Sequence, residues 1–390
     1  MRKLSVIMIF MSASVLTFGQ NHVNQDSLIS EIRFGSKATP LKGLTITWKS
    51  PGKTDSIQWG YTDNFEKGKF AAYQKTEKNP YFFNYTFPDL LPDTVIFYSV
   101  FNSLSKQWTH KYKFRTSVSD KSTHFTFTVL GDSRTRLDAW HMLSSSVRRA
   151  NFSIFVGDIV SRGGSIKKWD NWFKYGEKYL SQNLVYHTPG NHEYYGDPEN
   201  SNYKNMFVYP ENSNNNNFYY YFKFGNAVFI CLNSEDAGDT TQFNWLIKTL
   251  EINESAKWKF VWLHKPFYTS PSHAREMDKY YDTWWKAFDM YGVDVIFAGH
   301  THNYQRTIPI NREICTTEGV ESYGSLPYQG RCQIVTGGAG APLAGKGTGW
   351  FIASSRNCLN YVFVEVIEDT LKIRAFNEKN ILIDKLTIVK

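Results

Sequence analysis

The rhythm of apolar and polar positions changes near residue 120. Before it, short apolar runs alternate between turn clusters, at Glu31–Phe34, Leu44–Trp48, Ser56–Tyr61, Lys69–Gln74, Tyr81–Phe87, Thr94–Phe101 and Thr109–Arg115. Pro51-Gly52-Lys53 and Pro92-Asp93 are typical of the turns between them. Seven short strands in about 90 residues, with no helix-period stretch among them, predict a β-sandwich. From His124 onward, strand-like runs alternate with stretches that predict helices near Trp140–Ala150, Trp169–Leu180, Gln242–Glu251 and Tyr281–Tyr291. After Val335 the pattern is purely β, at Tyr361–Val366, Thr370–Phe376 and Ile381–Val389. The short polar segment Val118–Ser122 marks the boundary between the two regimes.

Five of the apolar runs end in residues that can hold a cation. Phe125–Leu130 leads into Gly131-Asp132, Phe152–Val156 into Gly157-Asp158, and Leu184–Pro189 into Gly190-Asn191-His192-Glu193. Phe260–Leu263 leads into His264-Lys265-Pro266, and Val293–Ala298 into Gly299-His300-Thr301-His302. A single Gly-Asp is ordinarily a turn. Five such endings in series place Asp132, Asp158, Asn191, His264, His300 and His302 together, because ligands of α/β sheets gather outside the carboxyl ends of the strands. A mixed oxygen and imidazole set suits divalent Mn, Fe or Zn.

These motifs resemble the dinuclear calcineurin-like metallophosphoesterases. Val261–Tyr268, the run Gly299-His300-Thr301-His302-Asn303-Tyr304-Gln305-Arg306, and Val335–Gly340 are similar to the purple acid phosphatase branch, whose amino-terminal module is fibronectin-III-like. Tyr98 lies in a segment that resembles the corner-tyrosine region of fibronectin-III folds. The resemblance implies an α/β four-layer αββα sandwich metallophosphoesterase domain over residues 121–390, preceded by an all-β fibronectin-III-like sandwich over 21–120. It implies two divalent ions bridged by Asp158. Asp132 and His302 complete site one; Asn191, His264 and His300 complete site two. The implied activity is phosphoric ester hydrolysis, most simply of phosphomonoesters. A phosphodiesterase or nucleotidase is the alternative on the same scaffold. His192, next to a ligand, would contact the phosphate or protonate the leaving oxygen, with Glu193 orienting it. His273, in the loop beyond His264, would be a second phosphate contact.

The sequence departs from the family at site one. Purple acid phosphatases carry a tyrosine where this chain has Ser161, and other metallophosphoesterases carry a histidine where it has Arg134. Ferric iron with a phenolate ligand is therefore not expected. A guanidinium stays charged and cannot ligate a cation. Beside two divalent ions it calls for an anion in between, so Arg134 is read as a contact to substrate phosphate, with a surface pair to Asp138 as the alternative. The impaired site also supports a reading from another class, a surface binding protein without catalysis.

Composition adds less. A 42% apolar fraction is enough for substantial cores, and the formal charge of +8 falls to +6 when Arg2 and Lys3 are removed. Such a balance attracts anionic substrates, while no basic cluster interleaved with aromatics points to nucleic acid. Arg2-Lys3, the apolar run Leu4–Phe18 and Gly19-Gln20 read as a signal peptide over residues 1–20, hence as an exported, periplasmic or secreted protein. No other segment is long and apolar enough to span a membrane. Cys315 and Cys332 flank a Gly-containing insertion and could pair, with Cys358 as a competing partner, whereas Cys231 lies in an apolar run and reads as a buried thiol. The loops Tyr194–Asn205 and Thr316–Gly330 are the candidates for setting specificity.

Overall fold

A computed structural model describes residues 29–77, 81–213, 218–312, 322–324 (backbone only) and 330–390. The amino-terminal apolar run of residues 1–20, Cys315 and most of the loop Thr316–Gly330 lie outside the described residues.

The first region forms two antiparallel sheets. One runs in the order Ser30–Ser36, Leu44–Ser50, Tyr81–Thr86, Tyr73–Gln74; the other runs Gly68–Ala71, Ser56–Gly60, Val95–Asn102, Gln107–Trp108, with Tyr112–Arg115 also paired to Val95–Asn102. Their facing side chains, among them Phe34, Trp48, Trp59, Ile96 and Tyr98, are buried together. The expected strand Lys69–Gln74 is in fact two. Gly68–Ala71 pairs in one sheet and Tyr73–Gln74 in the other, because the Ala72 amide turns aside to donate to the Asp55 carbonyl.

The second region is four layers deep. The strands His124–Leu130, Phe152–Phe155 and Val185–His187 run parallel at one side of a sheet that the antiparallel strands Asn360–Ile367, Thr370–Asn377 and Leu382–Val389 extend. A second sheet holds Ala227–Cys231, Trp258–Trp262, Val295–Ala298 and Cys332–Thr336 in parallel, flanked by antiparallel edge strands. Phenylalanines join the sheets: the Phe127 ring meets Phe229 and Phe260 edge-on, both at 5.1 Å. Helices Leu137–Ser146 and Ile166–Leu180 cover the first sheet through Trp140 and Trp172. Helix Thr240–Ile252 and the segment 281–290 cover the second. That last helix opens with a π-turn, Tyr281–Trp285, and only Lys286–Met290 is α-helical. A short helix, Ser201–Met206, was not legible in the sequence, since it is one and a half turns without an apolar period.

The sandwich packs directly on the four-layer region. Arg33 is buried over the rings of Phe82 and Phe173, and its guanidinium donates to the carbonyls of Met206 and Glu31. Lys49 bridges Glu31 and Asp170. Tyr98 does not serve a loop of its own sandwich: its hydroxyl donates to the Ser181 carbonyl, 2.9 Å away at the end of helix Ile166–Leu180.

Removing that hydroxyl leaves a buried carbonyl without its donor. Tyr98→Phe should therefore lower unfolding stability by about 1–2 kcal/mol, read as a lower urea midpoint. An unchanged midpoint would show that the bond contributes nothing to holding the regions together.

Candidate metal centre

Every one of the five ligand-bearing strand ends reaches the same place, and the backbone turns sharply to get there. Asp132, Asp158 and His300 have φ of 61°, 52° and 66°, a left-handed conformation that costs a non-glycine residue about 1–2 kcal/mol. Strain of this kind persists where surrounding contacts over-determine it. Here the contacts are specific. The Asp132 amide donates to the Gly157 carbonyl, and both Asp132 carboxylate oxygens accept from the His300 amide at 3.0 Å. A Cβ on Gly190 would stand 2.4 Å from Asp158 Oδ1, so only glycine lets that loop approach so closely.

Glu193 holds the arrangement from beneath. It is fully buried, and its carboxylate accepts the amides of Asp158, Ile159, Val160 and Gly190 at 2.7–3.1 Å. It does not orient His192, as the sequence suggested. Its orientation toward the backbone follows from four amide donors that no other buried group satisfies.

At site two, four acceptors converge with no proton among them. The Nδ1 of His264 lies 2.8 Å from the Val156 carbonyl, so it carries the hydrogen and Nε2 presents a lone pair to the cluster. The Nε2 of His300 lies 3.2 Å from a Glu276 carboxylate oxygen, which likewise leaves its Nδ1 as a lone pair. Those two lone pairs face each other at 3.1 Å. Asn191 Oδ1 lies 3.2 Å and Asp158 Oδ1 3.3 Å from His264 Nε2, while the Asn191 amide group is turned to the Tyr195 hydroxyl. Acceptors this close repel unless a cation lies between them. Burial pushes His264 down to about 3 and His300 to about 4, so both imidazoles are neutral and able to ligate. The donor set fits a divalent ion.

Site one is different. Asp132, Asp158 and His302 are gathered as a second potential cation group. The Nδ1 of His302 is 2.8 Å from the Pro342 carbonyl, so its Nε2 again offers a lone pair. The guanidinium of Arg134, however, already lies among them. Its Nη2 is 3.3 Å from His302 Nε2, and its Nε is 3.2 Å from Asp158 Oδ2. Arg136, not Arg134, makes the surface pair with Asp138. Ser161 turns its carbonyl to His192 Nδ1 at 2.9 Å. Burial, then the Asp158 charge, push the Asp132 carboxyl up, and the Arg134 guanidinium opposes them. As they stand, these residues do not fit a second metal ion.

The remaining expected residues also reach the centre. His192 has its Nδ1 fixed by Ser161, which leaves Nε2 facing Asp158 Oδ2 at 3.8 Å. The His273 ring lies 3.8 Å from that of His300, and its Nδ1 is 2.8 Å from Glu276. Glu276 is the residue sequence reasoning missed. Its contact with His300, then that with His273, holds its carboxyl down to about 2 against desolvation. The available signal was its place three residues beyond His273 in the loop after the His264 strand. Of the cysteines, Cys231 is a buried free thiol, and Cys332 and Cys358 are not joined to each other.

Comparisons with known proteins agree with this geometry. Residues 125–304 match the calcineurin-like phosphoesterase family. The chain is 27% identical over 298 residues to Fe(3+)-Zn(2+) purple acid phosphatase 12 of Arabidopsis thaliana, covering 68% of this chain and 62% of that one. It is 25% identical over 328 residues to a purple acid phosphatase of Glycine max, covering 74% and 65%. A probable inactive purple acid phosphatase 1 of Arabidopsis thaliana is 24% identical over 300 residues, covering 66% and 48%. The chain thus spans less than two thirds of the length of these relatives. Among solved structures, purple acid phosphatase PPD1 from yellow lupin seeds superimposes with a TM-score of 0.78 at 19% identity, covering 93% of this chain and 74% of that one. PhoD superimposes with a TM-score of 0.66 at 12% identity, covering 88% and 85%. The fold is that of the metallophosphoesterases, and the resemblance to the purple acid phosphatase branch holds.

Carboxylates that orient a ligating imidazole commonly account for ten- to a hundredfold in metal affinity. Glu276→Gln should weaken binding of a divalent ion by about that factor, measured by competition with a chromogenic chelator, with the far-ultraviolet circular dichroism unchanged. Undiminished affinity would mean that Glu276 does not orient His300.

Proposed function

We propose that this chain, through the calcineurin-like phosphoesterase domain of residues 125–304, is a metal-dependent phosphoric ester hydrolase acting on phosphomonoesters. One observation carries the reading: the proton-free convergence of Asp158, Asn191, His264 and His300 at the carboxyl ends of the strands. A divalent ion held by these four residues supplies Lewis acidity toward a phosphate oxygen and toward water. The motif set implies a second cation position between Asp132, Asp158 and His302.

The protein's own groups do the rest. The His192 side chain is 16 % exposed, and the Ser161 carbonyl keeps the proton on Nδ1, so Nε2 accepts a proton when neutral and donates it when charged. In the charged form it hydrogen-bonds a phosphate oxygen or protonates the departing alkoxide. Arg134, among the site-one ligands, and His273, nearer the rim, present further donors, and both are assigned to phosphate binding. The basic pair Arg2-Lys3 ahead of Leu4–Phe18 supports export.

The altered site one favours a second reading, a metal-stabilised binding protein without turnover. Hydrolysis of a chromogenic phosphomonoester and a phosphodiester, each with Mn, Zn, Fe and no added metal, separates the two. Metal-stimulated release from the monoester supports the enzyme, and none from either ester supports the binder. Asp158→Ala should abolish turnover together with metal binding. His192→Ala should slow turnover by about 10²–10⁴-fold with metal retained. Activity that survives exhaustive chelation would sink the metallophosphoesterase reading.

Ser161 leaves no phenolate at the position where the family's coloured enzymes carry one. The metal-loaded protein should therefore show no charge-transfer band in the visible range, and a strong band bleached by reduction would require another tyrosine at the metal.

A further inference from the structure

We infer that the guanidinium of Arg134 is the resident second cation of this centre, standing in site one where a second metal would otherwise sit, so that the chain holds one divalent ion. The inference deepens the hydrolase reading and rests on it.

Three features of the chain converge on it. First, the guanidinium lies against the atoms that a site-one metal would need. His302 has one lone pair at Nε2, since Nδ1 is committed to the Pro342 carbonyl, and Arg134 Nη2 stands 3.3 Å along it. A metal ion would need that same lone pair at about 2.0–2.1 Å, and the two cannot share it. Arg134 Nε takes the matching place at Asp158 Oδ2, 3.2 Å away.

Second, both ordinary means of completing site one are missing at once. Ser161 stands in the tyrosine position, and its carbonyl is engaged by His192. The histidine position is filled by the arginine itself. A site that merely lost affinity would need neither cation nor repair. Here the loss of donors coincides with the gain of a fixed positive charge among the remaining acceptors.

Third, the charges balance. The carboxylates of Asp132 and Asp158 are both buried. With the Glu193 carboxylate beneath them, three buried negative charges face one divalent ion and one guanidinium, so the fixed cation completes the neutralisation that a single metal ion would leave unfinished. A guanidinium is also a bidentate phosphate binder. The Nε hydrogen is not aimed at the Asp158 oxygen beside it, and Nε is a buried donor without a hydrogen-bond partner. Nε is therefore held beside Asp158 by charge rather than by a directed hydrogen bond, as a cation in site one would be.

Metal counting tests this without relying on turnover. The full chain is loaded with excess Mn(II), desalted, and its ions counted per chain by elemental mass spectrometry, with electron paramagnetic resonance on the same sample. The wild type should hold one ion and give the signal of isolated Mn(II). Arg134→His, which removes the cation and supplies an imidazole, should hold two and give an exchange-coupled pair. Two ions in the wild type, or a coupled signal from it, would overturn the inference while leaving the hydrolase reading intact. A folded Arg134→His that still holds one ion would also overturn it. No ion bound to the wild type would overturn both. One ion per wild-type chain with no hydrolysis of any phosphoester would instead remove the hydrolase reading and uphold the cation assignment.

Discussion

The buried carboxylate of Glu193 is the contact on which the centre depends. It gathers four backbone amides from two separate strand-end loops, those carrying Asp158 and Asn191. Without it, those amides would be unsatisfied in a region closed to solvent, at a cost of about 1–3 kcal/mol for each. With it, the Gly157-Asp158 turn is locked into a strained left-handed shape that aims one Asp158 oxygen at each cation position. Asp158 can belong to both positions only because its backbone cannot relax.

The same economy governs the imidazoles. Each of His264, His300 and His302 has one ring nitrogen committed to a carbonyl or carboxylate, and the other left as a lone pair facing the centre. Which nitrogen faces inward is decided outside the centre, by Val156, Glu276 and Pro342. Positive charge must then be provided among the acceptors, and the structure offers it in two chemically distinct ways. At site two the set is open to a metal ion. At site one a side chain of the protein lies among the ligands.

The sandwich bears on this centre through packing. Arg33 joins Phe82 of the sandwich to Phe173 of helix Ile166–Leu180, and it donates to the Met206 carbonyl at the end of the short helix that follows the Asn191 loop. Helix Ile166–Leu180 also carries Trp172, whose indole donates to Ser133 beside Asp132. A chain of buried contacts therefore runs from the sandwich to the site-one loop.

Much of this was legible along the chain. Strand and helix follow from local periodicity, and a parallel strand must deliver its last residues to one edge of the sheet. The six ligand candidates could therefore be named from the residues that end each apolar run. What the linear pattern could not carry were relations across space. Glu193 reads like a neighbour of His192 in sequence, yet three amides of the Asp158 turn and that of Gly190 in its own turn claim it. Tyr98 reads like a corner residue of its own sandwich, yet its hydroxyl reaches another layer. Glu276 gives no periodic signal, and its importance comes from folding a loop back over His300. Arg134 is the clearest case: its identity was written in the sequence and excluded it as a ligand. Only the tertiary structure decided that it lies among the ligands, because a long, flexible side chain goes wherever unpaired buried acceptors attract its charge.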